Sequence, residues 1–425
     1  MAEDTRVKQQ KRKNAQKLNV PALLRVIGFA VLIVTVIIAI AFVIDGNGGS
    51  SGGQYTDRFE IGAASVSSLK PYSSGAAAVA DSAVYYFDGS GNRLSKNEHT
   101  YSSPVAESNG KHLLLYDLGG NNLRIEKRGE IFKEHTFKSV LTCAAIGRMG
   151  NYAFSLNSDG GYQSHLYVYS GSGKKTFEWG SSSDYISGLS LSDNGNYCAA
   201  TLLTSQNAKI ISVVKLFDFS SDKPVFSVDF AGSVIYDIVF ASSKQLLVFC
   251  DNGVYGVSYT GEKTEILGYT STEIKHYSNF PSGMKAVSVA VYGNEKNTKA
   301  TVLSKKGKIL FEKSYGEEII NVVCSKNRVS VVLHDRIETY DGRGNPVGSV
   351  VLRETCTDAV ISRNMLFILG ARGLYSVPVN SVITEYERKT TENITENHTE
   401  KLTEDNSSDV SSGTEEPSAT VSGVG

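Results

Sequence analysis

Residues 184–230 contain the unit that the rest of the chain repeats: DYISGLSLSD (184–193), NYCAATLLT (196–204), KIISVVKLFDFS (209–220) and KPVFSVDF (223–230). Each run is rich in β-branched and aromatic residues, and turn residues such as Asp193-Asn194-Gly195-Asn196 separate the runs. Four short antiparallel strands cannot bury both of their faces alone. Copies packed around a common axis can do so, and the pattern therefore predicts one blade of a β-propeller.

The strand and turn pattern continues from about residue 57 to residue 381 without a helical interruption. Innermost strands are predicted to begin near residues 66, 102, 139, 184, 233, 273, 317 and 354, an average spacing of about 41 residues, which is the blade period of propellers. The last unit has three strands, and an unassigned strand, Arg58–Gly62 (RFEIG), precedes the first unit. We therefore predict an all-β propeller of eight four-stranded antiparallel blades, whose ring is closed by the N-terminal strand. Seven blades are the alternative if the weak unit 66–101 is misread.

Glycine-rich hairpin turns recur between the third and fourth strands, as in Gly173–Trp179 (GKKTFEW) and Gly307–Glu312 (GKILFE). These segments resemble the quinoprotein-like and WD40-like propeller superfamilies, and their G-K-x-L-x-[FW]-E character is nearer to the quinoprotein type. The sequence has no GH or WD dipeptide, which argues against a WD40 array proper. The whole layout, over residues 5–382, is similar to an uncharacterised family of single-pass, membrane-anchored propeller proteins of Gram-positive bacteria. The resemblance implies the fold and leaves the function open.

An apolar run, Val26–Ile44, contains no charged residue, and with Ala22–Leu24 it is long enough to cross a bilayer as a helix of about 28–34 Å. A cleavable signal peptide is the alternative, because Ala39-Ile40-Ala41 matches a cleavage pattern, but that pattern lies inside the apolar run. Basic residues precede the run and Asp45 follows it, which predicts a cytoplasmic N-terminus and an extracytoplasmic body. The basic residues that carry this topology signal include Lys11, Arg12, Lys13, Lys17 and Arg25.

The chain is thus predicted to have five parts. They are a cytoplasmic basic segment (1–21), a transmembrane helix (22–44), a Gly/Ser-rich linker (45–56), the extracytoplasmic propeller (57–382) and a disordered acidic Thr/Glu/Ser-rich tail (383–425). As a flexible coil the linker would span about 19 Å. The expected location is therefore the cell membrane, with the propeller outside the cell.

Net charge is distributed unevenly along the chain. Residues 1–25 carry a net charge of +5 and residues 384–425 carry −7, so the remaining body is close to +1. A nearly neutral body offers no field suited to phosphate backbones, and nucleic acid is not expected as a partner.

The sequence contains no complete motif for catalysis, cofactor binding or metal binding. The five cysteines are scattered through strand patterns without a CxxC or Cys/His cluster and are expected to be buried free thiols. Segment 171–176 (GSGKKT) lacks the first Gly and the final Ser/Thr position of a phosphate-binding loop and is read as a hairpin turn, and Asp-Gly segments such as Asp88-Gly89 are also read as turns.

The distribution of tyrosines suggests a binding face. In a propeller the turns between second and third strands and the connections between blades gather on one face, and five tyrosines fall in or beside them: Tyr101, Tyr162, Tyr185, Tyr269 and Tyr315. The segments 157–163, 204–209 and 293–298 are expected to be the longest loops of that face. Packing between blades is the alternative explanation for these rings.

We expect a non-enzymatic scaffold of the cell envelope that binds a protein, or a wall or carbohydrate component, through this face. The alternative is an extracytoplasmic lyase or hydrolase that uses ionisable groups at the channel mouth. The groups available to it are Glu317, Glu318, Glu354, Asp184 and His135.

Overall fold

The computed structural model describes Tyr55 and residues 65–207, 209–269, 272–280 and 282–383. In these ranges no helix is long and apolar enough to cross a membrane. The predicted transmembrane helix (22–44) and the predicted closing strand Arg58–Gly62 lie outside the described residues. So does the predicted disordered tail (383–425), except for its first residue, Ile383, which is buried in a strand.

The described chain forms strands throughout, arranged in eight successive blades. Blade 1 contains β1 (Val66–Tyr72), β2 (Gly75–Ala80), β3 (Ala83–Phe87) and β4 (Arg93–Glu98); blade 2, β5 (Pro104–Ser108), β6 (His112–Asp117), β7 (Asn122–Lys127) and β8 (Glu130–Thr136); blade 3, β9 (Val140–Ile146), β10 (Tyr152–Asp159), β11 (Tyr162–Tyr169) and β12 (Lys175–Ser181); blade 4, β13 (Tyr185–Leu191), β14 (Tyr197–Gln206), β15 (Lys209–Asp218) and β16 (Pro224–Phe230). Blade 5 contains β17 (Ile235–Ser242), β18 (Gln245–Cys250), β19 (Gly253–Ser258) and β20 (Lys263–Gly268); blade 6, β21 (Thr272–Asn279), β22 (Lys285–Val291), β23 (Asn294–Leu303) and β24 (Ile309–Tyr315); blade 7, β25 (Asn321–Cys324), β26 (Arg328–Val332), β27 (Arg336–Asp341) and β28 (Pro346–Val351); blade 8, β29 (Cys356–Ser362), β30 (Met365–Gly370) and β31 (Leu374–Pro378). The last strand, β32 (Val382–Ile383), follows blade 8 in the chain.

Each blade is an antiparallel sheet in which strands A, B, C and D follow one another from the inside to the outside of the ring. The prediction of eight blades is confirmed, and every innermost strand begins within four residues of its predicted position. Blade 8 has three strands among the described residues. An unexpected feature is β32, which pairs in parallel with the outer strand β28 of blade 7, so the chain after blade 8 returns to the edge of its neighbour.

The core lies between neighbouring blades, because strands B and C bury both of their faces. In blade 4, for example, Cys198 and Leu202 pack against blade 3, whereas Val214 and Leu216 pack with Ile238 of blade 5. The D strands alternate between half-buried and exposed side chains, as expected for the rim of the ring. All five cysteines are buried and free, as predicted.

Blade 8 is joined to both neighbours at the inner strands. Asp358 of β29 accepts a hydrogen bond from the backbone N–H of Leu69 in β1 (2.7 Å) and another from Asn321 Nδ2 in β25 (3.3 Å). The described residues thus show the ring closing at its centre, while the predicted closure of its outer edge by Arg58–Gly62 remains a prediction.

Candidate functional site

The propeller has two faces, which we name by their connections. The upper face carries the turns between strands B and C and the connections from D to the next A; the lower face carries the A-to-B and C-to-D turns. The three long loops expected on the upper face are instead strands of projecting hairpins. Strands β10 and β11 continue to Asp159 and Tyr162, β14 and β15 to Gln206 and Lys209, and β23 begins at Asn294.

All five candidate tyrosines lie at the upper ends of their blades, but their environments differ. Tyr162 and Tyr185 are 43% and 37% exposed, whereas Tyr315 is buried and its hydroxyl contacts Glu338 and Tyr340. Tyr269 packs into the apolar cluster shared by blades 5 and 6. Tyr101 covers the Arg124 guanidinium at 5.8 Å. Tyr315 and Tyr269 therefore serve packing between blades, and only part of the predicted tyrosine set is presented to solvent.

A group of exposed apolar residues at the upper ends of blades 4 and 5 was not anticipated. Tyr185 of β13 lies directly opposite Leu203 of β14, and Ile210 of β15 lies opposite Ser205, two residues further along the same side of β14. The Ser212 hydroxyl, on that side, donates to the Ser233 carbonyl at 2.9 Å and so brings the connection to blade 5 alongside.

That connection supplies exposed Val234, and Tyr236 follows it at the start of β17. We call Tyr185, Leu203, Ile210, Val234 and Tyr236 the upper apolar patch. Ile210 is 77% exposed, the most of any large hydrophobic residue among those described. Exposed apolar side chains grouped in this way are typical of contact surfaces.

A cleft of about 610 Å³ opens on the upper face between blades 1 and 2. His99, Tyr101, Arg124 and His135 line it. Burial lowers the pKa of both His99 and His135, and His135 Nε2 lies 2.8 Å from the Tyr152 hydroxyl.

Arg124, the cation of this cleft, is fully engaged inside the protein. Its side chain pairs with Glu126 at 2.6 Å and donates to the Glu98 carbonyl at 2.7 Å. Glu126 in turn accepts hydrogen bonds from Tyr86 (2.7 Å) and Asn97 in blade 1. The network joins two blades and leaves no charge of this pair for a ligand.

The ionisable groups that the enzyme alternative requires are spread over several blade boundaries, and of the five only Glu317 and Glu318 share one. Glu317 pairs with Arg336 (2.7 Å), Asp184 with Lys215 (2.7 Å), and Glu354 accepts a hydrogen bond from Tyr375 (2.7 Å). Glu318 lies 3.4 Å from His334, and His135 belongs to the blade 1–2 cleft. Across the described residues no group of three or more His, Cys, Asp or Glu side chains could hold a metal ion.

Carboxylates on the inner strands were not recognised in the sequence. Asp237 of β17 accepts hydrogen bonds from the Ile238 N–H (2.7 Å) and from Asn279 Nδ2 of blade 6 (3.3 Å), an arrangement like that of Asp358. Burial, reinforced by the charge of Glu107, raises the pKa of Asp237 to about 7. A short polar residue just after the bulge of an inner strand is the sequence signal for these links between blades.

Replacing Asp237 with Asn should change how stability depends on pH. Because the folded-state pKa is raised, the folded protein binds more protons than the unfolded chain between about pH 4 and pH 7, so stability falls as pH rises through this interval. We expect the melting temperature of Asp237→Asn, relative to the unaltered protein, to increase from pH 4 to pH 7 and then level off. Asp88→Asn should show no trend over this interval, since hydrogen bonding in its turn outweighs desolvation and lowers the pKa of Asp88, so that its carboxyl is ionised in both the folded and the unfolded state above about pH 4. A pH-independent difference for Asp237→Asn would contradict the assignment.

The two faces carry charge of opposite sign. Seven carboxylates and three cations lie in the upper turns and connections: Asp81, Asp184, Asp251, Glu317, Glu318, Asp335 and Glu354, with Lys138, Arg353 and Arg372. The lower turns carry twelve cations and four carboxylates: Lys111, Arg128, Arg148, Lys174, Lys223, Lys244, Lys305, Lys306, Lys308, Lys326, Arg343 and Arg363, with Asp88, Asp193, Asp222 and Glu262.

Structural comparison finds solved structures with a similar fold. The C-terminal WD40 domain of Sif2 superimposes with a TM-score of 0.55 at 10% identity, over 78% of this chain and 99% of that domain. Sqt1 from Saccharomyces cerevisiae gives 0.52 at 10% identity (75% and 97%), and a eukaryotic initiation factor gives 0.51 at 13% identity (77% and 88%). At these identities the likeness shows the fold alone.

No curated protein matches the chain at a significant level. A family defined by sequence matches residues 51–399, which include every described strand. The chain therefore belongs to DUF5711, a family of unknown function.

Proposed function

We propose that this protein is a non-enzymatic binding module of the cell envelope, held at the membrane by residues 22–44, whose propeller engages a protein partner through the upper apolar patch. The observation that carries the proposal is the patch itself. The projecting hairpin of β14 and β15 extends the apolar side of blade 4 beyond the core that it shares with blade 5. Apolar side chains at that position remain in water unless a partner covers them.

The charged groups of the upper face are better suited to selecting a partner than to strengthening its binding, because most of them are already paired within the protein. Six of its seven carboxylates already have a partner within the protein, such as Lys215 for Asp184 and the Val234 N–H for Asp251. The exposed aromatic and aliphatic side chains are therefore the groups with most to gain from contact. Tyrosine is favoured in such surfaces because its ring is apolar and its hydroxyl is polar.

A cysteine substituted into the upper apolar patch tests both the extracytoplasmic location of the propeller and the contact of the patch with a partner. All five native cysteines are buried, so Ile210→Cys should be the reactive thiol when intact cells are treated with a membrane-impermeant maleimide. We expect Ile210→Cys to be labelled, and a bulky label there to prevent co-purification of the partner that the unlabelled protein retains.

The matched control is Ile309→Cys on the outer strand of blade 6. Ile309 is 39% exposed and lies at the lower end of its strand, so its labelling should leave the partner bound. Absence of labelling at both Ile210→Cys and Ile309→Cys in intact cells would contradict the extracytoplasmic location. Equal partner recovery with and without the Ile210→Cys label would show that the patch is not the contact surface.

A further inference from the structure

The lower face differs from the upper face in how its charges are paired as well as in their sign. Arg148 and Lys305 both approach Asp193, at 3.9 and 2.8 Å. For the other ten cations of the lower turns, no carboxylate lies within 4.0 Å in the part of the chain that the structure describes. All ten are exposed. The charges of these ten cations are thus exposed to solvent and are not neutralised by carboxylates among the described residues.

These cations are dispersed over the face. The A-to-B turns form an inner ring that includes Lys244 and Lys326, and the C-to-D turns form an outer ring that includes Lys174, Lys306 and Arg343. Seven of the eight blades contribute at least one cation. An isolated exposed cation binds a single anion weakly because water screens the pair. The arrangement therefore suits a ligand that contacts many turns at once.

The densest part of the array lies at blades 5 to 7. A lower-face cleft of about 400 Å³ brings Lys244 and Lys306 together with Ser258, and it also contains Glu262. Lys308 follows in the same turn as Lys306, and Lys326 occupies the A-to-B turn of the next blade. Lysines supply point charges and the four lower-turn arginines supply forked donors, the two side chains that proteins use to bind phosphate.

We propose that the lower face is a docking surface for a linear polymer that carries phosphate groups. Such a polymer can follow the ring of turns and add many weak contacts, each of which releases counterions. The first described residue, Tyr55, is bound at the opposite face, where its hydroxyl donates to the Val351 carbonyl at 2.5 Å and Arg353 covers its ring. This contact leaves the ten exposed cations of the lower turns accessible to a partner.

The test measures binding of inorganic polyphosphate to the full chain in a non-ionic detergent. The substitutions Lys306→Glu, Lys308→Glu and Lys326→Glu together should weaken binding by about tenfold or more at low salt and should flatten its salt dependence. Lys138→Glu, Lys209→Glu and Lys296→Glu make the same change in net charge at exposed positions of the upper side and should leave the affinity within about twofold of the original. All six side chains are exposed, so we expect both variants to keep the original melting temperature.

Four outcomes would overturn the proposal. Absence of polyphosphate binding at low salt, or equal loss in the two triple variants, would overturn the proposal. Competition by orthophosphate at the same phosphate concentration would indicate a site for a small anion and would also overturn it. Binding that appears only after removal of residues 384–425 would assign the face to the chain's own acidic segment and exclude an external polymer as its occupant.

Discussion

Glu126→Ala should lower the free energy of unfolding by about 3–5 kcal/mol, because it leaves Arg124 as an uncompensated buried charge. The side chains of Arg124 and Glu126 are 3% and 0% exposed, and they lie on the C strand of blade 2. Loss of the carboxylate also removes the acceptor for the Tyr86 hydroxyl and for Asn97, both in blade 1. The effect would therefore fall on the joint between the first two blades.

An exposed ion pair provides the comparison. Lys175 and Glu178 are 47% and 50% exposed, and Glu178→Ala should cost no more than about 1 kcal/mol. Replacing the buried pair together, with Arg124→Met and Glu126→Leu, should be less damaging than Glu126→Ala alone because no unpaired charge remains. Urea denaturation of the four proteins measures these differences. Similar midpoints for Glu126→Ala and Glu178→Ala would show that the buried pair does not hold the two blades together.

Deletion of residues 57–62 is expected to destabilise the ring by about 3–6 kcal/mol, the usual cost of losing a buried Phe and a buried Ile. This segment contains Phe59 and Ile61 in the predicted closing strand. Tyr55, just before it, is buried in the same apolar cluster as Tyr375 and Val377 of β31, the third strand of blade 8. The chain therefore reaches the eighth blade immediately before the segment that is predicted to complete it.

Deletion of residues 47–52 is a matched control, since it shortens the chain by the same six residues within the Gly/Ser-rich linker. We expect that variant to unfold like the original protein, and the variant lacking residues 57–62 to melt earlier and to self-associate, because an uncovered strand edge pairs with other chains. Thermal unfolding measures the change in melting temperature, and size-exclusion chromatography measures self-association. If both deletions behave alike and stay monomeric, the N-terminal strand does not complete blade 8.

The repeat pattern in the sequence was sufficient to predict the architecture. The unit at 184–230 and its spacing predicted eight blades. The turns that mark this spacing can be recognised in the sequence because they are made by residues close together in the chain. In one of them the Asp88 carboxylate accepts hydrogen bonds from the N–H groups of Ser90 and Asn92. Turns of this kind can be predicted from the sequence without knowledge of the fold. The parallel pairing of β32 with blade 7 could not be predicted, since two residues carry too little pattern to identify a partner strand.

The environment of strand C could not be read from its sequence. The segment NLRIEK (122–127) alternates in the manner of a half-exposed strand, with Arg124 and Glu126 on the polar side. In the propeller both sides of this strand are covered by neighbouring blades, so the two charges are buried and must satisfy each other. Tyr315 is similar, because its position at a strand end fitted both a binding face and packing between blades, and the structure shows that the next blade covers it.

The sequence alone therefore determined the strand and turn repeat, the number of blades and the burial of the cysteines, all of which depend on residues close together in the chain. The upper apolar patch and the separation of charge between the two faces became apparent only from the tertiary structure. Turns about 40 residues apart come to one face only when the ring closes. A body with a net charge near +1 can then present unpaired cations on its lower face and mostly paired carboxylates on its upper face, because net charge sums over positions that only the fold separates.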